Sequence, residues 1–394
     1  MKELAWARRT LFVLAGVNVV LGAIEIRVGV VVTGLVAGTC FVAGAALRKA
    51  TLAIEEQRRE TMRREALLEE ANADLDRVLH ARAGPSTGAR MGAWRLGELL
   101  GRGGMGEVYR ATNEENGTIA AVKLLLRDPA GDPELLERFR REARALARVD
   151  HPNVVRLLDV GDGWIAMELL EGVDLAKLLR KKETLQSKDV LKLVSEVAAA
   201  LEAARRAGIV HRDLKPQNIF FETRDERWKV LDFGLSKLTE RGSTPAQRMP
   251  VGTPAYMAPE QIEGTPVDHR ADVFALGLVV YRAITGRPAF SAEEPAAVLF
   301  DVLFEQPPRP SELAPVDIDV DFTLALALAK YPSHRFERAI DLAAALESAY
   351  RGALSPILRS RAETLLATHG WGERRLGSVR NLPASLRTEQ DVRS

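Results

Sequence analysis

His211-Arg212-Asp213-Leu214-Lys215-Pro216-Gln217-Asn218, followed by the apolar Ile219-Phe220-Phe221 and then by Val230-Leu231-Asp232-Phe233-Gly234, is the stretch that decides the reading of this chain. A carboxylate, a lysine and an amide share one short loop, and a second carboxylate follows on a later strand. Hard divalent cations such as Mg²⁺ take oxygen ligands, which Asn218 and Asp232 would supply. Asp213 then has no metal role and is free to accept a hydroxyl proton and orient a nucleophile, while Lys215 neutralises charge on a transferring group.

Working outward toward the N-terminus, Gly101, Gly103 and Gly106 form a G-x-G-x-x-G frame followed by Val108. Dinucleotide-binding folds use similar spacing, but there the glycines join a strand to a helix. Here apolar stretches flank them on both sides, 96–100 and 108–111, so a glycine-rich hairpin is expected. Without Cβ atoms its backbone can close on phosphate oxygens with its amides aimed at their charge. The next strand, 118–126, carries a single lysine, Lys123, among apolar neighbours. Such a lysine either snorkels to the surface or serves as a functional charge. The following helix, 133–149, favours the second reading. It presents Phe139, Ala143, Leu146 and Val149 as an inward stripe with Glu142 beside it, and a Lys123–Glu142 ion pair would hold the ammonium against nucleotide phosphates.

Gly101 to Val108, Ala121-Val122-Lys123, Glu142, the 211–218 loop, Asp232-Phe233-Gly234 and Ala258-Pro259-Glu260 occur in the order and approximate spacing of the eukaryotic-like protein kinases, which the chain resembles from Trp94 to Tyr350. The wording around Gly101–Tyr109 and Gly252–Gln261 is similar to the membrane-linked serine/threonine kinases of bacteria. The resemblance implies an α+β, two-lobed fold, with a small, mainly β lobe carrying one helix and a large, mainly α lobe. It implies ATP as phosphoryl donor with Mg²⁺, for which Mn²⁺ could substitute, and Asn218 and Asp232 as metal ligands. Asp213, Lys215, Lys123 and Glu142 become the catalytic set. Leu100, Gly101, Arg102, Gly103, Gly104, Met105 and Gly106 become the loop over the phosphates. Val108 and Ala121 would lie above the adenine, Met167 matches the gatekeeper, and Glu168 to Leu170 match the hinge. Asp272 resembles the aspartate that braces the catalytic loop, and Glu260 and Arg335 resemble the buried ion pair of the large lobe. Ala120-Ala121-Val122-Lys123 departs from the commoner V-A-I-K but keeps a small residue over the adenine.

Lys215, two residues after Asp213, and Thr253, in the Gly252–Glu260 segment, match kinases of Ser/Thr rather than Tyr. Small-molecule kinases of the aminoglycoside phosphotransferase type lack the Ala-Pro-Glu segment. Thr239, Ser243 and Thr244 lie in the activation segment, where a phosphate would bring about −1.5 to −2 charges that Arg212 could pair. Autophosphorylation there is expected, and a homodimer would let two copies act on each other. The alternative from another class is a pseudokinase scaffold that binds partners without transfer. Keeping Lys123, Asp213, Asn218 and Asp232 together argues against it.

The whole chain has 394 residues, of which 46% are hydrophobic and 28% charged, with a net formal charge of +1. That balance gives no sign of a nucleic-acid partner. The single cysteine, Cys40, has no partner for an intramolecular disulfide and no metal-ligand spacing around it. Long apolar runs concentrate before residue 48. Residues 11–24 and 28–47 are candidate spans separated by Glu25-Ile26-Arg27, and 28–47 has about the length and the uniform apolarity of a membrane span rather than of an amphipathic core helix. Basic residues flank both runs (Lys2, Arg8 and Arg9 before; Arg48 and Lys49 after), which fits a hairpin anchor in the plasma membrane with the kinase domain in the cytoplasm. A single crossing by 28–47 is the other reading. Residues 48–83 read as a charged juxtamembrane helix, 84–93 as a linker rich in Gly, Pro, Ser and Thr, and 351–394 as a basic mobile tail in which 354–366 forms a short helix.

Overall fold

The computed structural model describes residues 84–103, 106–125, 137, 140, 143–233, 254–292 and 294–372. All belong to the unit Val78–Ser394, one of two into which the chain divides. The candidate membrane spans, the charged helix at 48–83, Phe139, Glu142 and most of the activation segment lie outside the described residues. Among the described residues no helix is long and apolar enough to cross a membrane.

Alternating apolar residues and tight turns build the small lobe. Strands β1 (Arg90–Met91), β2 (Trp94–Gly103), β3 (Gly106–Asn113), β4 (Ile119–Leu125), β5 (Leu157–Gly161) and β6 (Trp164–Glu168) form a six-stranded sheet in the order β1-β2-β3-β4-β6-β5. The four neighbouring pairs from β2 to β5 in that order are antiparallel, as is β1 with β2. The expected glycine hairpin is present: Gly101 faces Val108 and Gly103 faces Gly106 across β2 and β3. Gly106 has φ of 151°, and a Cβ there would lie 1.9 Å from the Leu124 carbonyl oxygen, so only glycine lets β3 start this close to β4. The period-two alternation buries both faces of this sheet. Tyr109, Ala111, Trp94, Leu96, Val122 and Trp164 form a core on one side, and Ala121, Val155 and Met167 form another.

Residues 84–93 are not the free linker expected. Residues 85–88 make a turn and β1 adds to the sheet, with Gly88 N–H donating to Leu96 O (2.8 Å) and Leu96 N–H to Ala89 O (2.9 Å). Ala89 and Met91 pack against the Tyr109 core. Gly, Pro, Ser and Thr serve a fixed turn as readily as a flexible connection, and apolar neighbours decided between them here.

The large lobe is helical: α1 (Leu175–Lys182), α2 (Ser187–Arg206), α3 (Pro259–Glu263), α4 (Arg270–Thr285), α5 (Pro295–Phe304), α6 (Pro310–Leu313), α7 (Ile318–Ala327), α8 (Ala339–Tyr350) and α9 (Pro356–Thr368). A three-stranded antiparallel sheet, β7 (Gly172–Asp174), β8 (Ile219–Glu222) and β9 (Arg227–Val230), lies beside them. Helix α1 starts where the Asp174 carboxylate accepts the Lys177 N–H at 2.8 Å, and basic residues occupy its last turn, both favourable for the helix dipole. Helix α2 buries Val190, Leu193, Val194, Val197 and Leu201, the helical spacing of one apolar face. Helix α4 is buried almost all round and forms the centre of the lobe.

Residues 351–372 were expected within a mobile tail; they fold instead. Helix α9, close to the expected 354–366, is fixed to α7 by Arg359 and Asp319 (2.7 Å) and by Asp319 accepting the Leu354 N–H. Its Ala362 is fully buried, and Gly372 N–H donates to Pro307 O. The basic residues that suggested a solvated tail are in part spent on these contacts.

The Glu260–Arg335 pair is bidentate at 2.6 and 2.7 Å and almost wholly buried. Arg335 also donates to the carbonyl oxygens of Ala329, Arg270 and Lys330, so every guanidinium N–H is used, and its plane lies 4.8 Å from the Phe274 ring. A buried pair is tolerable only when satisfied this completely. Arg335→Leu should therefore cost about 3–5 kcal/mol in urea unfolding by stranding Glu260, and Glu260→Leu/Arg335→Leu should recover part of that loss; equal losses in both would contradict the assignment.

Candidate active site

The catalytic loop hangs from α4. Asp272, in the first turn of that helix, is buried and accepts two consecutive backbone N–H groups: His211 on Oδ2 (2.8 Å) and Arg212 on Oδ1 (2.9 Å). Burial pushes the Asp272 carboxyl above the usual carboxylate range, against the pull of His211 and Arg212. The His211 ring is fixed next. Its Nδ1 accepts the Asp213 N–H at 3.2 Å, so Nε2 carries the hydrogen and donates to the Leu231 carbonyl at 2.9 Å. The ring also lies 4.7 Å from that of Phe233, centroid to centroid. Arg212 has φ of 63° and its carbonyl accepts from Gln261 on α3, which ties the loop to the Ala258-Pro259-Glu260 segment.

This framework brings together the charged residues expected from sequence. Lys215 Nζ lies 2.9 Å from Asp213 Oδ2, and Asn218 Nδ2 donates to the Asp213 carbonyl (2.8 Å) and to the same Oδ2 (3.2 Å). Because the Asn218 amide nitrogen is turned to Asp213, its Oδ1 is left as the oxygen that could face a cation. Asn218 O accepts the Leu231 N–H, so the loop and the strand end before Asp232 are joined in both directions. Asp232 has φ of 54°, a left-handed conformation that a non-glycine residue adopts at a cost and that is typical of functional sites.

Lys123, buried on β4, pairs with Asp232 at 2.8 Å. Burial pushes the Asp232 carboxyl upward, but the Lys123 charge and hydrogen bond, with smaller help from Lys215, hold it below the usual range. An ionised carboxylate and an amide oxygen are hard donors, so Asp232 and Asn218 fit a divalent cation. Lys123 was expected to pair with Glu142; that partner lies outside the described residues, and the Asp232 contact was not anticipated.

Val108, Ala121, Met167 and Leu170 fall in one apolar cluster, as an adenine pocket would require. Leu169, inside the expected hinge, also joins it, as do Leu231, Val155 and Leu157, which were missed; for Leu231 the signal was its place beside Asp232 in an apolar run. Glu168 uses its carboxylate on Lys229 (2.7 Å) and on the Arg156 N–H (2.9 Å), which links the end of β6 to β9 in the large lobe. Leu100 is exposed on β2 and is not part of the cluster. Arg102 pairs with Glu107. Gly104, Met105, Thr239, Ser243, Thr244 and Thr253 lie outside the described residues.

Comparison with known proteins agrees with this geometry. The family model described as protein kinase domain matches residues 94–316. A probable serine/threonine-protein kinase of Streptomyces coelicolor is 37% identical over 292 residues, covering 71% of this chain and 43% of that protein. The probable serine/threonine-protein kinase PknB of Corynebacterium glutamicum is 36% identical over 286 residues, covering 69% and 44%. The chain thus spans less than half the length of these relatives. Among solved structures, the PknI kinase domain of Mycobacterium tuberculosis superposes with a TM-score of 0.56 at 31% identity, covering 67% of this chain and 99% of that one. With its two lobes, its glycine hairpin and its paired carboxylate loops, the chain belongs to the protein kinase family, among the eukaryotic-like serine/threonine kinases.

Proposed function

We propose that the chain transfers the γ-phosphoryl group of ATP to serine or threonine hydroxyls of proteins. The observation that carries this reading is the meeting of two charge pairs, Lys215–Asp213 and Lys123–Asp232, across one loop and strand end joined through His211, Asn218 and Leu231. Asp213 is the base. Lys215 and Asn218 both donate to its Oδ2, which keeps that oxygen occupied and leaves Oδ1 to receive the hydroxyl proton. Lys215 then offsets charge on the group in flight. Lys123 holds the α- and β-phosphates, with Glu142 as its partner on the following helix, and residues 100–106 close over them. Val108, Ala121 and Met167 enclose the purine, and the backbone of Glu168 and Leu170 hydrogen-bonds it. Asn218 and Asp232 would hold Mg²⁺, or Mn²⁺ in its place, which when bound neutralises phosphate charge.

In the same reading Thr239, Ser243 and Thr244 receive phosphate, by exchange between two copies, and Arg212 pairs it. Among the described residues Arg212 Nε is buried without a hydrogen-bond partner, which supports a role awaiting an anion. Thr253, in the Gly252–Glu260 stretch, favours Ser and Thr over Tyr as acceptors. Residues 11–24 and 28–47 anchor the protein in the plasma membrane, with the kinase domain in the cytoplasm; their apolarity, interrupted by Asn18 in the first, and their basic flanks support this.

Purified full-length chain incubated with Mg-ATP should label itself or a generic protein substrate, with phosphate mapped by mass spectrometry to residues 239–244. Asp213→Asn should lower transfer by about 100-fold or more while ATP binding persists. Equal labelling by both proteins would reject Asp213 as the base, and active protein without phosphate at 239–244 would reject the activation-segment reading. Reporters fused at residues 1 and 394 should both read cytoplasmic; opposite sides would replace the hairpin by a single crossing.

A further inference from the structure

A line of hydrogen bonds runs through the small lobe on the side of the sheet away from the purine cluster. Ser86 N–H, in the turn that precedes β1, donates to Tyr109 Oη at 3.1 Å. Tyr109 Oη donates to Glu107 Oε2 at 2.7 Å. Glu107 Oε1 accepts from Arg102 Nε and Nη2 at 2.9 and 2.7 Å. Tyr109 is wholly buried and Glu107 nearly so, whereas Arg102 is largely exposed and sits between Gly101 and Gly103. The line thus begins in the turn at 84–88 and ends inside the glycine hairpin.

We propose that this turn is a brace for the hairpin, and that Tyr109 and Glu107 are positioning residues that set the strand ends at residues 101–103 and 106 for the ATP phosphates. The inference rests on the kinase reading for its consequence in catalysis, though not for its structural content. Three features carry it. The turn is itself fixed at both ends: Thr87 Oγ1 accepts the Gly84 N–H (2.9 Å) and donates to Gly97 O (2.9 Å). Its fit to the tyrosine is close, since a Cβ on Gly84 would lie 2.3 Å from Tyr109 Oη, so any side chain there displaces the turn or the ring. Finally, the phenol joins the half-buried Ser86 N–H to the buried Glu107 carboxylate, which without it would lose a donor in the interior. Burial and the bond to Glu107 both push the Tyr109 hydroxyl above its usual range, which favours the protonated, donating form.

A glycine loop gains its closeness to phosphate at the expense of conformational entropy. Holding one of its residues from outside the nucleotide site lowers that cost before ATP arrives. The brace therefore acts on nucleotide affinity and leaves the transfer step to Asp213.

Amide exchange on the full-length chain without nucleotide tests this directly. Tyr109→Phe, which keeps the ring, should speed exchange of residues 101–107 by about three- to tenfold. Gly84→Ala, placed in the turn and outside the hairpin, should do the same. Exchange in α4 should stay unchanged in both, which shows that the large lobe is intact. With ATP, KM should rise by a similar factor while kcat stays within about twofold. Unchanged hairpin exchange in Tyr109→Phe overturns the brace, including when its melting temperature falls, since that outcome marks a merely structural tyrosine. If the wild-type chain transfers no phosphate, the kinase reading fails and the exchange data still judge the brace.

Discussion

Two oxygen atoms of one carboxylate hold the catalytic loop in place. Asp272 is fixed by its position in the first turn of the most buried helix, and its side chain accepts the amides of His211 and Arg212. Without it the loop would leave two backbone donors unmet, a cost of about 1–3 kcal/mol each in a buried setting. The placement of the 211–218 loop and of the strand end before Asp232 descends from this one. Once the His211 backbone is set, its ring reaches Leu231, which sets the start of the Asp232 segment. Once Arg212 is held in its left-handed conformation, Asp213 turns toward Lys215 and Asn218.

The carboxylates involved have different environments and different tasks. Asp272 meets backbone dipoles in a dry interior, and its carboxyl is pushed up. Asp232 faces Lys123, and its carboxyl is held below the usual range. The two acids are thus set apart by what each is packed against. Glu260 shows a third solution, a full charge buried against a guanidinium whose every N–H is used. Asp272 lies in the lobe's central helix, and the Glu260–Arg335 pair is tied to the first residue of that helix through the Arg270 carbonyl.

Much of this was legible in sequence because the chemistry comes in short ordered runs. The loop at 211–218, the strand end at 232, the lysine at 123 and the glycine hairpin each announce themselves locally, and the stripe at Ala143, Leu146 and Val149 is buried as its spacing required. What was not legible depends on residues far apart in the chain. Lys123 meets Asp232, Glu168 meets Lys229, and Val155 joins the purine cluster only after the lobes are assembled. Composition misled at both ends of the kinase domain. Turn-forming residues at 84–88 suggested a linker, yet Tyr109 gave them something to pack on. Basic residues after 350 suggested a solvated tail, yet Asp319, buried on α7, gave Arg359 a partner.

Replacing Asp272 by asparagine probes its support of the catalytic loop, because the amide keeps the shape but turns a donor toward one of the two N–H groups. Steady-state kinetics of Asp272→Asn should show kcat reduced by about 100-fold with the KM for ATP changed little, since the loop would be misplaced while the purine cluster and Lys123 stay as they are. A wild-type kcat in a folded Asp272→Asn protein would contradict the account.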